Sequence, residues 1–266
     1  MKKRDKITMI LLTAALLGCG GCSSKAQSAS LMDFQAKVEW KTPMPAAGDK
    51  PKILFVGNSH TYYNNLSEMF VNITKASGHK SSVRELSSGY YTLKQYADTD
   101  DQGGALLDKT LSEQSWDFVI LQEHIANSLS EDDMFPSSRI LDEKIKKSGG
   151  QTAFLMVWTP KKGMNHRKPE QIQSKIASNN ITIAQELDSL VIPAGISFMR
   201  CKEQYPDIEL WDQDGQHPSP EGSYLAACTA YAVIFQESPE NCSYIGDLDQ
   251  DLALKLQMVA ADTVLN

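Results

Sequence analysis

The stretch Ile53-Leu54-Phe55-Val56-Gly57-Asn58-Ser59-His60-Thr61 decides how the rest of the chain reads. Four consecutive apolar residues closed by a glycine fit a strand buried on both faces, and the small polar residues after it suit the start of a helix. Further strand candidates lie at 82–86, 118–121, 153–157 and 190–193, all but the first of them short apolar runs. Between them lie stretches of helical period. Over 66–77, Leu66, Met69, Phe70 and Ile73 share one face, and Gly78 follows as a C-terminal stop. Further helices are expected at 103–114, 131–148, 169–189, 220–236 and 249–264. Strands alternating with helices predict an α/β fold, a three-layer α/β/α sandwich around a mainly parallel, doubly wound sheet. In such sheets ligands bind at the carboxyl ends of the strands, so residues just after each strand are the first places to look for chemistry.

Composition agrees with a folded body in water. Of 266 residues, 41% are hydrophobic and 22% charged, which excludes a disordered chain, a collagen-like repeat and a multi-span membrane protein. The formal charge is 26 − 33 = −7, and no long basic run occurs beyond the first residues. A nucleic-acid partner is therefore not expected.

The N-terminus reads as an address. Lys2, Lys3, Arg4 and Lys6 precede an apolar run over 7–17. That run is far shorter than the roughly 20 residues that cross a bilayer, as in a secretory signal. It ends in Leu16-Leu17-Gly18-Cys19, which resembles the lipobox of bacterial lipoproteins. By that resemblance residues 1–18 are removed, Cys19 carries the lipid, and the protein sits at the bacterial cell envelope, lipid-anchored. The outer membrane or a periplasm-facing surface is the expected location. Cys22 is a weaker acceptor. Residues 19–50 are rich in small residues and proline, and are expected to form a flexible tether with a short amphipathic piece at 31–40; residues 51–266 form the domain. Cys201, Cys228 and Cys242 could pair or stay as buried thiols, and sequence leaves both open.

Two clusters carry chemistry. Ser59 stands in the turn after the first strand, where a helix start aims backbone N–H groups at an anion. Far along the chain, Asp214-Gly215-Gln216-His217 precedes Ser219-Pro220, which reads as an N-cap followed by Pro at the first helical position. A carboxylate three residues before a His can accept from Nδ1 and leave Nε2 free to take a proton from a serine. No Cys/His pair has zinc spacing, the acidic loop from Asp98 has Lys109 where a calcium loop needs Glu, and no dinucleotide or P-loop glycine pattern occurs. No metal and no cofactor are expected.

These blocks resemble those of the SGNH, or GDSL-like, hydrolase superfamily over about residues 52–236. Its Gly-Asp-Ser block looks like Gly57-Asn58-Ser59, and its Asp-x-x-His block is met by Asp214 to His217. The resemblance implies Ser59 as nucleophile, His217 as base and then acid, and Asp214 as the residue orienting His217. It implies Ser59 and Gly89 as backbone oxyanion donors. The third block departs from the usual Gly-x-Asn-Asp; Gln122, in Gln122-Glu123-His124, is the expected third oxyanion donor. Asn58, His60, His124 and Trp158 are expected around the pocket, and His166 in an ordinary loop. The implied activity is that of a cofactor-free serine ester hydrolase working through an acyl-enzyme. The expected substrate is a small-molecule ester or acetylated glycan, making the protein an O-acetyl carbohydrate esterase. The alternative is a non-catalytic glycan-binding lipoprotein on the same fold.

Overall fold

A computed structural model describes residues 31–266. The expected signal peptide, Cys19 and Cys22 lie outside the described residues. Five strands, β1 (Lys52–Gly57), β2 (Ser82–Ser87), β3 (Phe118–Leu121), β4 (Gln151–Leu155) and β5 (Leu190–Ile192), form one sheet in the order β2-β1-β3-β4-β5. Every neighbouring pair is parallel, with Val56 opposite Leu86 on one side and Leu121 on the other. The helices are α1 (Ser59–Tyr62), α2 (Leu66–Ala76), α3 (Leu93–Ala97), α4 (Gln102–Glu113), α5 (Ile125–Ser128), α6 (Glu131–Lys147), α7 (Pro169–Glu186), α8 (Ala194–Gln204), α9 (Pro220–Phe235) and α10 (Gln250–Val264). The three-layer sandwich is as expected.

The two-sided burial of the strands follows from their alternation. In β1, Ile53 and Phe55 join a core with α2, α9 and α10, while Leu54 and Val56 join a second core with α4, α6 and α7. Successive side chains point to opposite faces, so an apolar run without polar interruption fills both cores at once. Winding runs outward from β1 in both directions, since β2 and β3 flank it. The chain therefore diverges beside β1, opening a crevice at the carboxyl ends of β1 and β3.

Residues 31–50 differ from the flexible tether expected for them: they run as a strap held to the body. Phe34 is buried in the second core. The buried Arg200 donates to the carbonyls of Phe34 (2.7 Å), Ala36 (2.9 Å) and Asp262 (2.7 Å). Trp40 Nε1 donates to Thr263 O at 2.8 Å, and the N–H groups of Met44 and Ala47 donate to Gln151 and Asp117. No helix forms at 31–40. Hydrogen bonds from distant side chains supply the order that the local composition does not. Among the described residues, Cys201, Cys228 and Cys242 are buried thiols, not paired with one another.

Candidate active site

β1 ends in a turn that tolerates no side chain at residue 57. A Cβ on Gly57 would lie 2.4 Å from Thr61 Oγ1 and 2.6 Å from Gln122 Oε1. Asn58 then caps α1: its Oδ1 accepts from the His60 N–H at 3.1 Å, and its Nδ2 donates to Tyr91 O at 2.8 Å. Such a cap satisfies helix-start donors that would otherwise be orphaned. Ser59 is thereby fixed as the first residue of α1, at the mouth of the crevice.

The partner loop closes on itself before α9. The Asp212 N–H donates to His217 O and the Gly215 N–H to Asp212 O, both at 2.8 Å, with Gly215 in the left-handed region at φ +68°. Ser219 caps α9 through Gly222 N (3.1 Å), and Pro220 occupies its first turn, as the sequence predicts. Trp158 Nε1 donates to Gln216 O and Trp211 Nε1 to Thr159 O, tying the loop to the chain after β4.

These two pieces meet. His217 Nε2 lies 2.8 Å from Ser59 Oγ, and His217 Nδ1 lies 2.5 Å from Asp214 Oδ2. Asp214 Oδ1 accepts from the backbone N–H groups of Gln216 (2.8 Å) and His217 (2.9 Å). Burial pushes the Asp214 carboxyl up, but the Gln216 N–H, the His217 ring and the His217 N–H outweigh it and hold the group at about 2. An ionised carboxylate only accepts, so Nδ1 carries the hydrogen and Nε2 presents its lone pair to the Ser59 hydroxyl. The imidazole also has aromatic neighbours. Tyr63 stacks on it (centroids 4.0 Å, 9°), and the His60 ring lies 5.3 Å away at 29°.

Tyr63 and Asn64 were not anticipated as site residues. Asn64 and Asn65 both adopt left-handed backbone, φ +54° and +56°. The Asn64 side chain reaches across to donate to Pro218 O and Ser223 Oγ, each at 2.9 Å, fixing the turn that lays Tyr63 on His217. The consecutive asparagines were the available signal, since Asn enters this region more readily than other side chains.

Several expected pocket residues take other places. Gln122 is a brace: its Oε1 accepts from Asn58 N and Thr61 Oγ1, each at 2.9 Å, while its Nε2 donates to Glu123 O at 2.7 Å. With the side chain 1% exposed, its amide is committed to the turn, which corrects the expectation of a third oxyanion donor. Trp158 is fully buried against Phe198 (4.4 Å, 4°) and supports the floor without lining the pocket. Asn58 is equally buried, as the cap. Gly89 sits on the loop after β2; Ser87 pairs with Gly57 and the Ser88 N–H donates to Gly57 O at 3.2 Å, bringing that loop beside the serine turn.

His60 and His124 do border a cleft of about 640 Å³ that adjoins the site through Asp214 and Gln216. Burial, then the neighbouring His217 and His124, lowers His60 to about 3, so it stays neutral. Burial also lowers His124, whose Nδ1 accepts from Ala126 N at 3.3 Å. Glu123, adjacent and 2% exposed, is pushed by burial to about 7; it accepts from His124 N (2.6 Å) and Leu93 N. Among the described residues, no group of three or more His, Cys, Asp or Glu side chains is arranged to hold a metal.

A three-layer sandwich with a Ser–His–Asp hydrogen-bond chain at the strand ends defines a class of α/β protein with hydrolase geometry. The chain has the fold of the SGNH/GDSL-like hydrolase superfamily, as its sequence blocks suggested. A candidate SGNH hydrolase from Slackia heliotrinireducens is 25% identical, with a TM-score of 0.62 over 69% of this chain and 98% of its own. A DUF4886 family protein from Bacteroides uniformis is 18% identical, with a TM-score of 0.69 over 80% and 93%. An acetylxylan esterase from Geobacillus stearothermophilus, 13% identical, superposes with a TM-score of 0.52 over 71% and 97%. No protein-family model and no curated protein sequence matches the chain.

Proposed function

We propose that the protein is a serine ester hydrolase that works through an acyl-enzyme. The single observation that carries this reading is the 2.8 Å contact between His217 Nε2 and Ser59 Oγ, with Nδ1 held by Asp214. Ser59 Oγ attacks the ester carbonyl as its proton moves to His217 Nε2. The N–H groups of Ser59 and Gly89 receive the oxyanion, each such donor contributing about 2.7–4 kcal/mol in the transition state. His217 then protonates the leaving alkoxide, the acyl group remains on Ser59, and water repeats the sequence to release the acid. The stacked Tyr63 and neutral His60 keep the ring in the plane that both transfers need.

The substrate we propose is an O-acetylated carbohydrate. Lys161, Lys162, Glu209, Asp212 and Gln213 give the adjoining cleft a polar wall, which suits a small acyl group on a hydroxylated alcohol better than a long acyl chain. Residues 1–19 support placement at the bacterial envelope through a lipid on Cys19, leaving 20–30 as the link to the strapped body. Palmitate labelling that survives Cys19→Ser would contradict that placement. The activity is tested on p-nitrophenyl acetate with a chain starting at residue 31. Hydrolysis that falls at least 10³-fold in both Ser59→Ala and His217→Ala supports the esterase. No hydrolysis of short esters or acetylated glycans, with sugar binding retained, would make the protein a glycan binder instead.

A further inference from the structure

We propose that Tyr62 and Tyr90 form an aromatic subsite that holds a sugar ring of the substrate beside Ser59. The inference rests on the esterase reading for its chemistry and fixes the alcohol side of the ester as a pyranose. Tyr62 closes α1, three residues after Ser59, and is 39% exposed. Its ring lies 5.8 Å from that of Tyr63, which stacks on His217. Its hydroxyl lies 3.4 Å from where a Cβ on Gly89 would be. Tyr62 therefore spans the gap between the imidazole and the loop expected to bind the oxyanion.

Tyr90, the next residue on that loop, is 84% exposed, the highest among the large exposed hydrophobic side chains of the described residues. It adopts φ +62°, a conformation unfavourable for an aromatic side chain. Burial does not offset that cost, since the ring faces water. Strain retained without a packing return is typical of functional positions. Tyr62, Tyr63 and Tyr90 belong to one neighbourhood: burial first, then Asp214, Tyr62, Asp212 and Tyr90, raise the Tyr63 hydroxyl above its ordinary range.

The chemistry of these rings selects the occupant. A phenol offers an electron-rich face to the polarised C–H bonds of a pyranose and a hydroxyl to its ring substituents. A long acyl chain would call for an aliphatic wall, and the most exposed aliphatic residues, Leu31, Leu106 and Ile140, belong to the strap, α4 and α6, none of which lines the cleft beside the site.

The test compares kcat/KM for ethyl acetate with kcat/KM for O-acetylated xylo- and chito-oligosaccharides. In Tyr90→Ala and Tyr62→Leu the glycan-to-ethyl-acetate ratio should fall roughly two- to tenfold per ring, carried by KM, while Tyr90→Phe keeps it. An unchanged ratio in both variants overturns the subsite, as does wild-type preference for p-nitrophenyl laurate over the glycans. Calorimetric titration of Ser59→Ala with the same oligosaccharides reads the subsite independently of turnover. Binding that weakens in Ser59→Ala/Tyr90→Ala supports it even where the wild type hydrolyses no ester, and no binding overturns it. Loss of ethyl acetate hydrolysis in the wild type counts against the esterase reading alone.

Discussion

Asp214→Asn separates orientation of His217 from mere support of its loop. Asp214 accepts three hydrogen bonds: Gln216 N and His217 N on Oδ1, His217 Nδ1 on Oδ2. Asparagine has one accepting oxygen. The two backbone N–H groups demand it, so the amide Nδ2 must face the imidazole and donate to Nδ1. His217 then carries its hydrogen on Nε2 and cannot take the proton of Ser59. A wrong tautomer in a serine triad costs about 10⁴-fold in kcat, or about 5 kcal/mol of transition-state stabilisation. Because the loop's backbone bonds survive the substitution, the melting temperature should change little and KM should stay near its wild-type value. The assay is steady-state hydrolysis of p-nitrophenyl acetate at pH 7.5 alongside thermal unfolding. A kcat within tenfold of wild type in a folded Asp214→Asn protein would refute the assigned tautomer and the role given to Asp214.

Three further outcomes follow from the same geometry. Tyr63→Leu removes the ring stacked at 4.0 Å on His217 and should lower kcat roughly 2- to 30-fold, as expected for losing a cation–π contact to the imidazolium. Tyr63→Phe should keep the wild-type kcat. Gln122→Leu leaves the Asn58 N–H and the Thr61 hydroxyl without their shared acceptor. Urea denaturation should show a loss of about 1–3 kcal/mol per buried group, with reduced activity from a displaced Ser59. Burial raises Glu123 to about 7, so between pH about 4.5 and 7 the native state binds the extra proton and stability falls as pH rises. That contribution is about 3 kcal/mol across the window, and Glu123→Gln should flatten the slope measured by denaturation at several pH values.

The sequence made the sheet legible because β1, β3, β4 and β5 carry short apolar runs, 53–56, 118–121, 153–155 and 190–192, whose side chains fill the cores on both faces. Helix α9 was legible from Ser219-Pro220, a start signal that depends on local geometry alone. Helix α8 was not: Ala194 to Cys201 are all buried, so it lacks an amphipathic stripe, and it follows β5 after a single proline. The strap over 31–50 was misread because its order comes from Arg200, Thr263, Gln151 and Asp117, far away in sequence. The stretches that bring Ser59, Asp214 and His217 into one hydrogen-bonded chain were legible because turn and cap chemistry around each is local. Gln122 was assigned by analogy with a donor, whereas its direction depends on Asn58 and Thr61. Tyr63 was invisible because its contact with His217 is made by Asn64 reaching 154 residues along the chain.

The measurement closest to the central claim is mass spectrometry of the protein after treatment with a fluorophosphonate. Only a serine whose proton has an acceptor at hand should react quickly with such a phosphorylating probe. One stoichiometric adduct on the peptide carrying Ser59, lost when His217→Ala removes the imidazole, is the predicted result. An unlabelled Ser59, or labelling that persists unchanged without His217, would contradict the account.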